Sequence, residues 1–456
     1  MTNTLYLPEL REMLAENDAA TLSEFCTALH PARTAEFMEG LSAQEVWNVL
    51  QYADVPLRVE VFGFFDRAKK IEIIETLDRE AIAAFIGDLP PDDRVDLLNE
   101  VRPGIVGELM PLIPTDERRD IQRLSAYPED TAGAVMTTQF ARLSEDLPVA
   151  QAVKEVGQQA GELETIYYLY VVDEEDHLRG LLSFRQLVTA MGKPDTPIGE
   201  LMERDLVTVN VAEDQEEVAD KVARYNLLAI PVVDDEHRML GIITHDDVID
   251  VVREEATEDA HRIAAVAPLE VGYLETHLLT LTRKRGIWLT VLFFAAMLTA
   301  LALEEYKGDL MQPGYVWLML FIPLVISTGG NSGSQSATLI ITALSTGDIK
   351  LQDWWRVVHR ELVMGLLLGS FLGSIGYFCA LLAAPAPAYL TAAVIPATLL
   401  LVVLCGTLLG SLLPLLFRRL GLDPAMMSNP FVAGLIDVLG IVIYMQVALQ
   451  LLPTSD

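Results

Sequence analysis

The stretch Asp423-Pro-Ala-Met-Met-Ser-Asn-Pro-Phe-Val-Ala-Gly-Leu-Ile-Asp437-Val-Leu-Gly-Ile-Val-Ile-Tyr444 opens an apolar run, Ser428 to Leu452, in which Asp437 is the only charged residue. On insertion scales a carboxylate at that depth costs about 3 kcal/mol, so it faces a wet path or a partner charge. Three readings compete: a structural Asp satisfied by a neighbouring helix, half of an intramembrane protease dyad, or a cation site. The dyad fails, because no second Asp or Glu is expected inside any apolar span. If the chain pairs with a copy of itself, two Asp437 side chains line one axis and need a cation between them. The burial argument favours the cation.

Outward from that run, four more segments are long and apolar enough to cross a bilayer. The five expected spans are Ile287–Leu303, Tyr315–Leu344, Leu362–Ala384, Tyr389–Phe417 and Ser428–Leu452. Arg283-Lys284-Arg285, Lys350, Arg356, Arg360, Arg418 and Arg419 fall on one side. Glu304, Glu305, Asp309, the Pro385–Ala388 turn and the C-terminus fall on the other. The positive side is the cytoplasmic one, which puts the N-terminal half in the cytoplasm and the C-terminus outside. The second span contains Ser327-Thr328-Gly329-Gly330-Asn331-Ser332-Gly333-Ser334-Gln335-Ser336. This reads as an interruption; unwound backbone at that depth is tolerated only in protein or beside water. Close helix packing through small residues is the plainer reading. The amides of Asn331 and Gln335, with Asn429-Pro430 and Asp437, point to a hydrophilic path formed by the second and fifth spans.

The chain has 456 residues and a formal net charge of −33, and almost all the excess acid lies before residue 286. A half that acidic repels nucleic acid and attracts cations. No signal peptide is expected at the N-terminus, and three scattered cysteines give neither a zinc motif nor a disulfide framework. Residues 1–130 read as short helices, with an echo from Leu89-Pro90-Pro91-Asp92-Asp93-Arg94 to Ile113-Pro114-Thr115-Asp116-Glu117-Arg118. Pro and Asp suit a helix start, and repeated helical pairs build a superhelical stack. Asp92 and Asp96 share a face; capping leaves Asp96 unexplained, a hint of a metal face. Residues 131–253 repeat a unit: Tyr170-Val171-Val172-Asp173 with Gly180-Leu181-Leu182-Ser183 matches Pro231-Val232-Val233-Asp234 with Gly241-Ile242-Ile243-Thr244. Each unit reads as strand, helix, strand, turn, strand, helix. The pair, about 131–193 and 194–253, resembles tandem CBS domains, whose ribose-binding Thr/Ser-x-x-Asp motif is kept at Thr244–Asp247 and lost at Ser183–Gln186. An acid-rich helix from His245 to Ala264 carries Asp247, Asp250, Glu254, Glu255, Glu258 and Asp259, with only Arg253 and Arg262 against them. A second linking helix is expected from Leu269 to Arg285, so that 254–285 joins the CBS pair to a membrane domain at 286–456.

The whole resembles the MgtE family of magnesium channels and transporters. The resemblance rests on the glycine-rich run Gly329–Thr338, the Asp423–Tyr444 stretch and Glu255-Ala256-Thr257-Glu258-Asp259. It implies a multidomain α-helical membrane protein: an all-α superhelical N-terminal domain, α/β tandem CBS domains, a linking helix and five transmembrane helices. It implies a homodimer in the bacterial inner membrane that conducts Mg²⁺, with no enzymatic activity. Its pore-lining positions are Asn331, Gln335, Asn429, Ala433 and Asp437, the last holding hydrated Mg²⁺. Further Mg²⁺ ions are implied at Glu60, Asp92, Asp96, Glu216, Asp247, Asp250, Glu255, Glu258 and Asp259, where they close the pore. ATP is implied between the CBS units near Tyr168, Thr244 and Asp247. Two departures stand out: Asn226 where the family has Asp, which weakens one cytosolic site, and Gln186 where an Asp helps bind ATP. The rival readings are a membrane-anchored adenosine-nucleotide sensor, a divalent transporter of broader selectivity, and a chloride carrier with its CBS pair in the wrong order.

Overall fold

The computed structural model describes residues 6–451, apart from 162, 270–271, 275, 311–315 and 385–388. It divides into two compact units, Met1–Val252 and Arg253–Asp456.

The first unit begins with ten short helices, from Leu7–Glu16 to Thr115–Leu124. Side chains start them: Asp18, Ser42, Asp54, Asp66 and Asp78 each accept from a backbone N–H of the helix that follows. Arginines finish them. Arg94 donates to the carbonyls of Ile86 (2.8 Å) and Leu89 (2.7 Å), and Arg118 to that of Ile113 (2.8 Å). The echoed Pro-Asp-Arg pattern is thus a joint: one residue opens a helix while another satisfies the carbonyls left open by the helix before it. Several helices, such as Ala43–Leu50 with Arg67–Thr76, pack on the next but one, which gives the superhelical stack.

The repeat at 131–253 forms two three-stranded sheets. In the first, β1 (Phe140–Leu143) pairs parallel with β2 (Thr165–Val172), which pairs antiparallel with β3 (Leu178–Ser183). In the second, β4 (Val209–Asn210), β5 (Ala229–Val233) and β6 (Met239–Thr244) repeat that order. Phe140, Tyr170 and Leu178 of the first sheet share a buried cluster with Ala229, Val233 and Ile242 of the second. The second CBS unit also shares one continuous core with the N-terminal helices. Asn226 ends the helix Gln215–Tyr225 in the left-handed conformation, φ 52°, which Asn adopts more readily than most residues.

The helix His245–Ile263 runs on into the second unit. Five helices there are long and apolar enough to cross a membrane: Leu278–Tyr306, Val316–Ser345, Leu351–Ala383, Val394–Arg419 and Asn429–Leu451. Sequence reasoning drew several of them wrongly. Among the described residues after Ile263 the next helix is the first span, Leu278–Leu310, which takes in Arg283-Lys284-Arg285. The third span starts before Leu362 and the fourth at Val394. The Pro385–Ala388 turn, Tyr315 and Leu452 lie outside the described residues.

The larger correction concerns the second span. Ser327–Ser336 is not unwound; it lies inside a continuous α-helix, Ile322–Ser345, and the irregular part is a 3₁₀ turn before it at Val316–Phe321. An open backbone in hydrocarbon costs more than the poor helix propensity of glycine. The glycines serve packing instead. A Cβ on Gly410 of the fourth span would sit 2.2 Å from the carbonyl oxygen of Gly333, and one on Gly333 2.0 Å from Ile436. Gly410→Ala is therefore expected to push these helices apart and destabilise the protein by about 1–3 kcal/mol. A lowered thermal midpoint in detergent checks this; an unchanged midpoint refutes it.

Candidate ion path and cytosolic acidic cluster

Asp437 sits midway along the fifth span, one helical turn beyond Ala433 and two beyond Asn429, so the three share a face. That helix packs on the second span. The contact is close because Gly330 has no side chain: a Cβ there would lie 3.2 Å from Asp437 Oδ1 and 3.4 Å from Ala433. Ser334 Oγ donates to the Asn429 carbonyl (3.1 Å) and Thr338 Oγ1 to its side-chain oxygen (3.0 Å), which fixes the register of the two helices. Asn331 and Gln335 lie a turn apart on the exposed face of the second span, and Asn331 reaches Ser327 Oγ at 3.4 Å. Among the described residues no donor or cation pairs with Asp437. The second and fifth spans thus meet on intact helices through Gly330, Ser334 and Thr338 on one side and Asn429, Ala433 and Asp437 on the other.

The expectation that no second acid lies in a span fails. Glu361 is buried in the third span and accepts from Ser336 Oγ at 2.7 Å. The sequence hid it because Arg356 and Arg360 made that end read as loop. Ser336 stands six residues from Gly330, which turns it about 120° away around the helix. Glu361 and Asp437 thus meet different faces, and the protease dyad remains excluded, now on geometry.

In the first unit, Asp92 opens the helix Pro91–Glu100 and is buried. Its Oδ1 has no hydrogen-bond partner. Burial first, then the charges of Asp247, Asp93 and Glu164, hold its carboxyl well above the usual range. Asp247 is pushed up to about 6 by burial, against the pull of its Thr244 hydrogen bond and with Asp246 adding to the rise. Glu164, just before β2, is pushed up to about 7 by desolvation and by Asp247, Asp93 and Asp246. Sequence reasoning missed Glu164, an acid in a loop whose charged neighbours come from elsewhere in the chain. Asp93 and Asp96 line a cleft of about 230 Å³ with Arg67 and Lys70; Glu60 is exposed on the helix Val55–Gly63, and Glu216 opens the helix Gln215–Tyr225.

Among the described residues no three His, Cys, Asp or Glu side chains stand close enough to hold a metal ion by themselves. The acids nevertheless gather from the N-terminal helices, the first CBS unit and the start of the linking helix. Thr244 Oγ1 and the Thr244 N–H both donate to Asp247, and Ser183 and Gln186 make the same cap at the other motif (Oγ to Oε1, 2.6 Å). Gln186 therefore keeps the shape and loses only the charge. Tyr168 pairs with Ser183 across the β2–β3 ladder.

A pH consequence follows. The folded carboxyls of Asp247 and Glu164 titrate above their unfolded values of 3.8 and 4.5. The folded state therefore binds more protons through that interval, and stability falls as pH rises from about 4 to about 7. In chelator, the thermal midpoint of the soluble part is expected to drop between those pH values, and Asp92→Asn to flatten the drop. A midpoint that rises with pH refutes it.

In the second unit, Asp259 of the linking helix accepts from Ser345 Oγ at 3.0 Å. Its carboxyl is raised by burial and Asp423, and eased by Ser345. Arg262 bridges Glu258 of its own helix and Asp423, while Asp423 caps the turn before the fifth span through the Ala425 N–H (2.7 Å). Asp250, Glu255 and Glu258 follow Asp247 along the same helix.

Comparison with known proteins places these features in one lineage. Residues 322–447 match a family model described as a divalent cation transporter, MgtE; residues 29–130 match the MgtE intracellular N domain, and 132–193 and 198–254 match CBS domains. The chain is 38% identical to the magnesium transporter MgtE of Thermus thermophilus, over 97% of this chain and 98% of that one. It is 30% identical to the Bacillus subtilis magnesium transporter MgtE, covering 92% and 91%. The crystal structure of the soluble part of a magnesium transporter superposes with a TM-score of 0.52 at 31% identity, covering 55% of this chain and 97% of that one.

Proposed function

This chain belongs to the MgtE family of magnesium transporters, and on that premise we propose that it is a Mg²⁺ channel of the bacterial cytoplasmic membrane, closed by the ion it conducts. The observation that carries the proposal is Asp437: a carboxylate within an apolar helix, packed against a glycine, with no cation beside it among the described residues. Mg²⁺ gives up its waters reluctantly and is held by one or two carboxylates. Two Asp437 side chains from a homodimer, with the amides of Asn331, Gln335 and Asn429 and the backbone at Ala433, suit such a hydrated ion. The basic residues near the ends of the spans support an acidic half in the cytoplasm and a C-terminus outside.

Closure is supported by the acidic cluster. Asp92 has an unpartnered buried oxygen among like charges, an arrangement a divalent cation stabilises and bare water does not. Glu60, Asp96, Glu216 and Asp250 add acidic groups within the first unit, and Glu255, Glu258 and Asp259 do so along the linking helix of the second. Ions that bind only the closed arrangement shift the population toward it by their differential affinity. Expression in a bacterium that cannot take up Mg²⁺ is expected to restore growth on low-Mg²⁺ medium. Protein present in the membrane without rescue overturns the proposal.

A further inference from the structure

Glu361 is a buried carboxylate that the proposed conduction path does not use. The face of the third span that packs on the fourth is otherwise made of small residues: Gly365, Gly369, Gly373, Gly376 and Ala380 are all buried. A Cβ on Gly365 would lie 2.6 Å from Thr407 Oγ1 and one on Gly369 2.9 Å from the Leu400 backbone. At the cytoplasmic end of this stripe the pattern changes to a long acidic side chain. Glu361 reaches past the fourth span to Ser336 of the second (2.7 Å), while its own carbonyl accepts from Thr407 Oγ1 of the fourth (3.2 Å). The second and third spans each pack along the fourth and touch each other little; beyond this bond they share the small cluster of Ile340, Leu344 and Val357 with Leu415.

Stability alone gives no reason for a carboxylate here. One hydroxyl donor does not offset the desolvation of a charge, and well-packed apolar residues replace buried ionic groups at no loss. What the bond does supply is direction. Ser336 lies on the same helix as Gly330, Asn331 and Gln335, so whatever fixes Ser336 fixes the rotation and depth of the face presented to Asp437.

We propose that Glu361 is a positioning residue for the ion path, holding the second span in register through Ser336 and bracing it against the third and fourth. This rests on Asp437 marking the path, and the two are tested on different variants. In proteoliposomes, Glu361→Met is expected to lower Mg²⁺ flux about tenfold or more and to change the ratio of Mg²⁺ to Ni²⁺ flux, while the thermal midpoint stays level or rises. Glu361→Gln keeps the acceptor for Ser336 and is expected to stay within about threefold of the parent. Ser336→Ala removes only the donor and is expected to behave as Glu361→Met does, with the double variant no worse than either. If Glu361→Met does not fold, Ser336→Ala alone decides. Parental flux and flux ratio in Ser336→Ala or Glu361→Met overturn the inference, and so does a Glu361→Gln as impaired as Glu361→Met. Loss of the Asp437 reading shows instead as full transport by Asp437→Ala.

Discussion

Asp437→Ala is expected to lower Mg²⁺ uptake about a hundredfold while leaving a folded, membrane-inserted protein. The substitution removes the only charged group of the fifth span, so insertion becomes easier by about 3 kcal/mol and stability is not expected to suffer. Transport is. An ion crossing hydrocarbon needs a compensating charge, and among the described residues nothing else on the second or fifth span supplies one. If each of two carboxylates contributes about 1.4 kcal/mol or more to holding the hydrated ion, their joint loss lowers flux about a hundredfold. Asp437→Asn separates charge from shape: the amide keeps the packing against Gly330 and loses the charge, and it is expected to fail almost as badly. Growth rescue by either variant at the parental rate sinks the pore assignment.

Neutralising Asp247, Asp250 and Glu258 together is expected to leave the channel conducting at millimolar internal Mg²⁺, where the parent is shut. Driving a two-state equilibrium from one part open in a hundred to its reverse takes about 5.5 kcal/mol of differential binding. If several ions each bind the closed form about tenfold better they accumulate that amount, and removing the carboxylates proposed to hold two or three of them is expected to erase most of it. The three residues act at different points. Asp247 faces Asp92 and Glu164, Asp250 bears on Asp93, and Glu258 shares Arg262 with Asp423. Patch recordings over a range of internal Mg²⁺ check this. Block at the parental concentration refutes the gating scheme and leaves the conduction path untouched.

The large features were legible in the sequence because each has a periodic signal. Apolar runs marked the five spans, the Val-Val-Asp and Gly-Ile-Ile repeats marked the paired sheets, and Pro-Asp starts marked the N-terminal helices. What failed shares one cause: local composition was read as local structure. Gly329, Gly330 and Gly333 weaken a helix in water, yet inside a bilayer the helix is the only way to satisfy the backbone, and their smallness is spent on contact with Val402, Gly406 and Ile436. Glu361 was assigned to a loop because the arginine one residue before it was. Glu164 carried no signal, since its importance arises only when Asp92 and Asp247, far away along the chain, fold beside it. Asp437 was legible for the opposite reason: in a stretch with no other charge, one residue is its own motif.

The seat of Gly410 on the Gly333 carbonyl restricts how such a channel moves. With main chains in contact, the second and fourth helices have no layer of side chains to shear over; rotation of one drives its peptide groups into the other. They travel as one block, with the third helix fastened to it at Glu361. Opening of the proposed channel is then expected to be a displacement of the remaining helices relative to this block, and a cross-link within the block is expected to leave conduction intact where one spanning its edge arrests it.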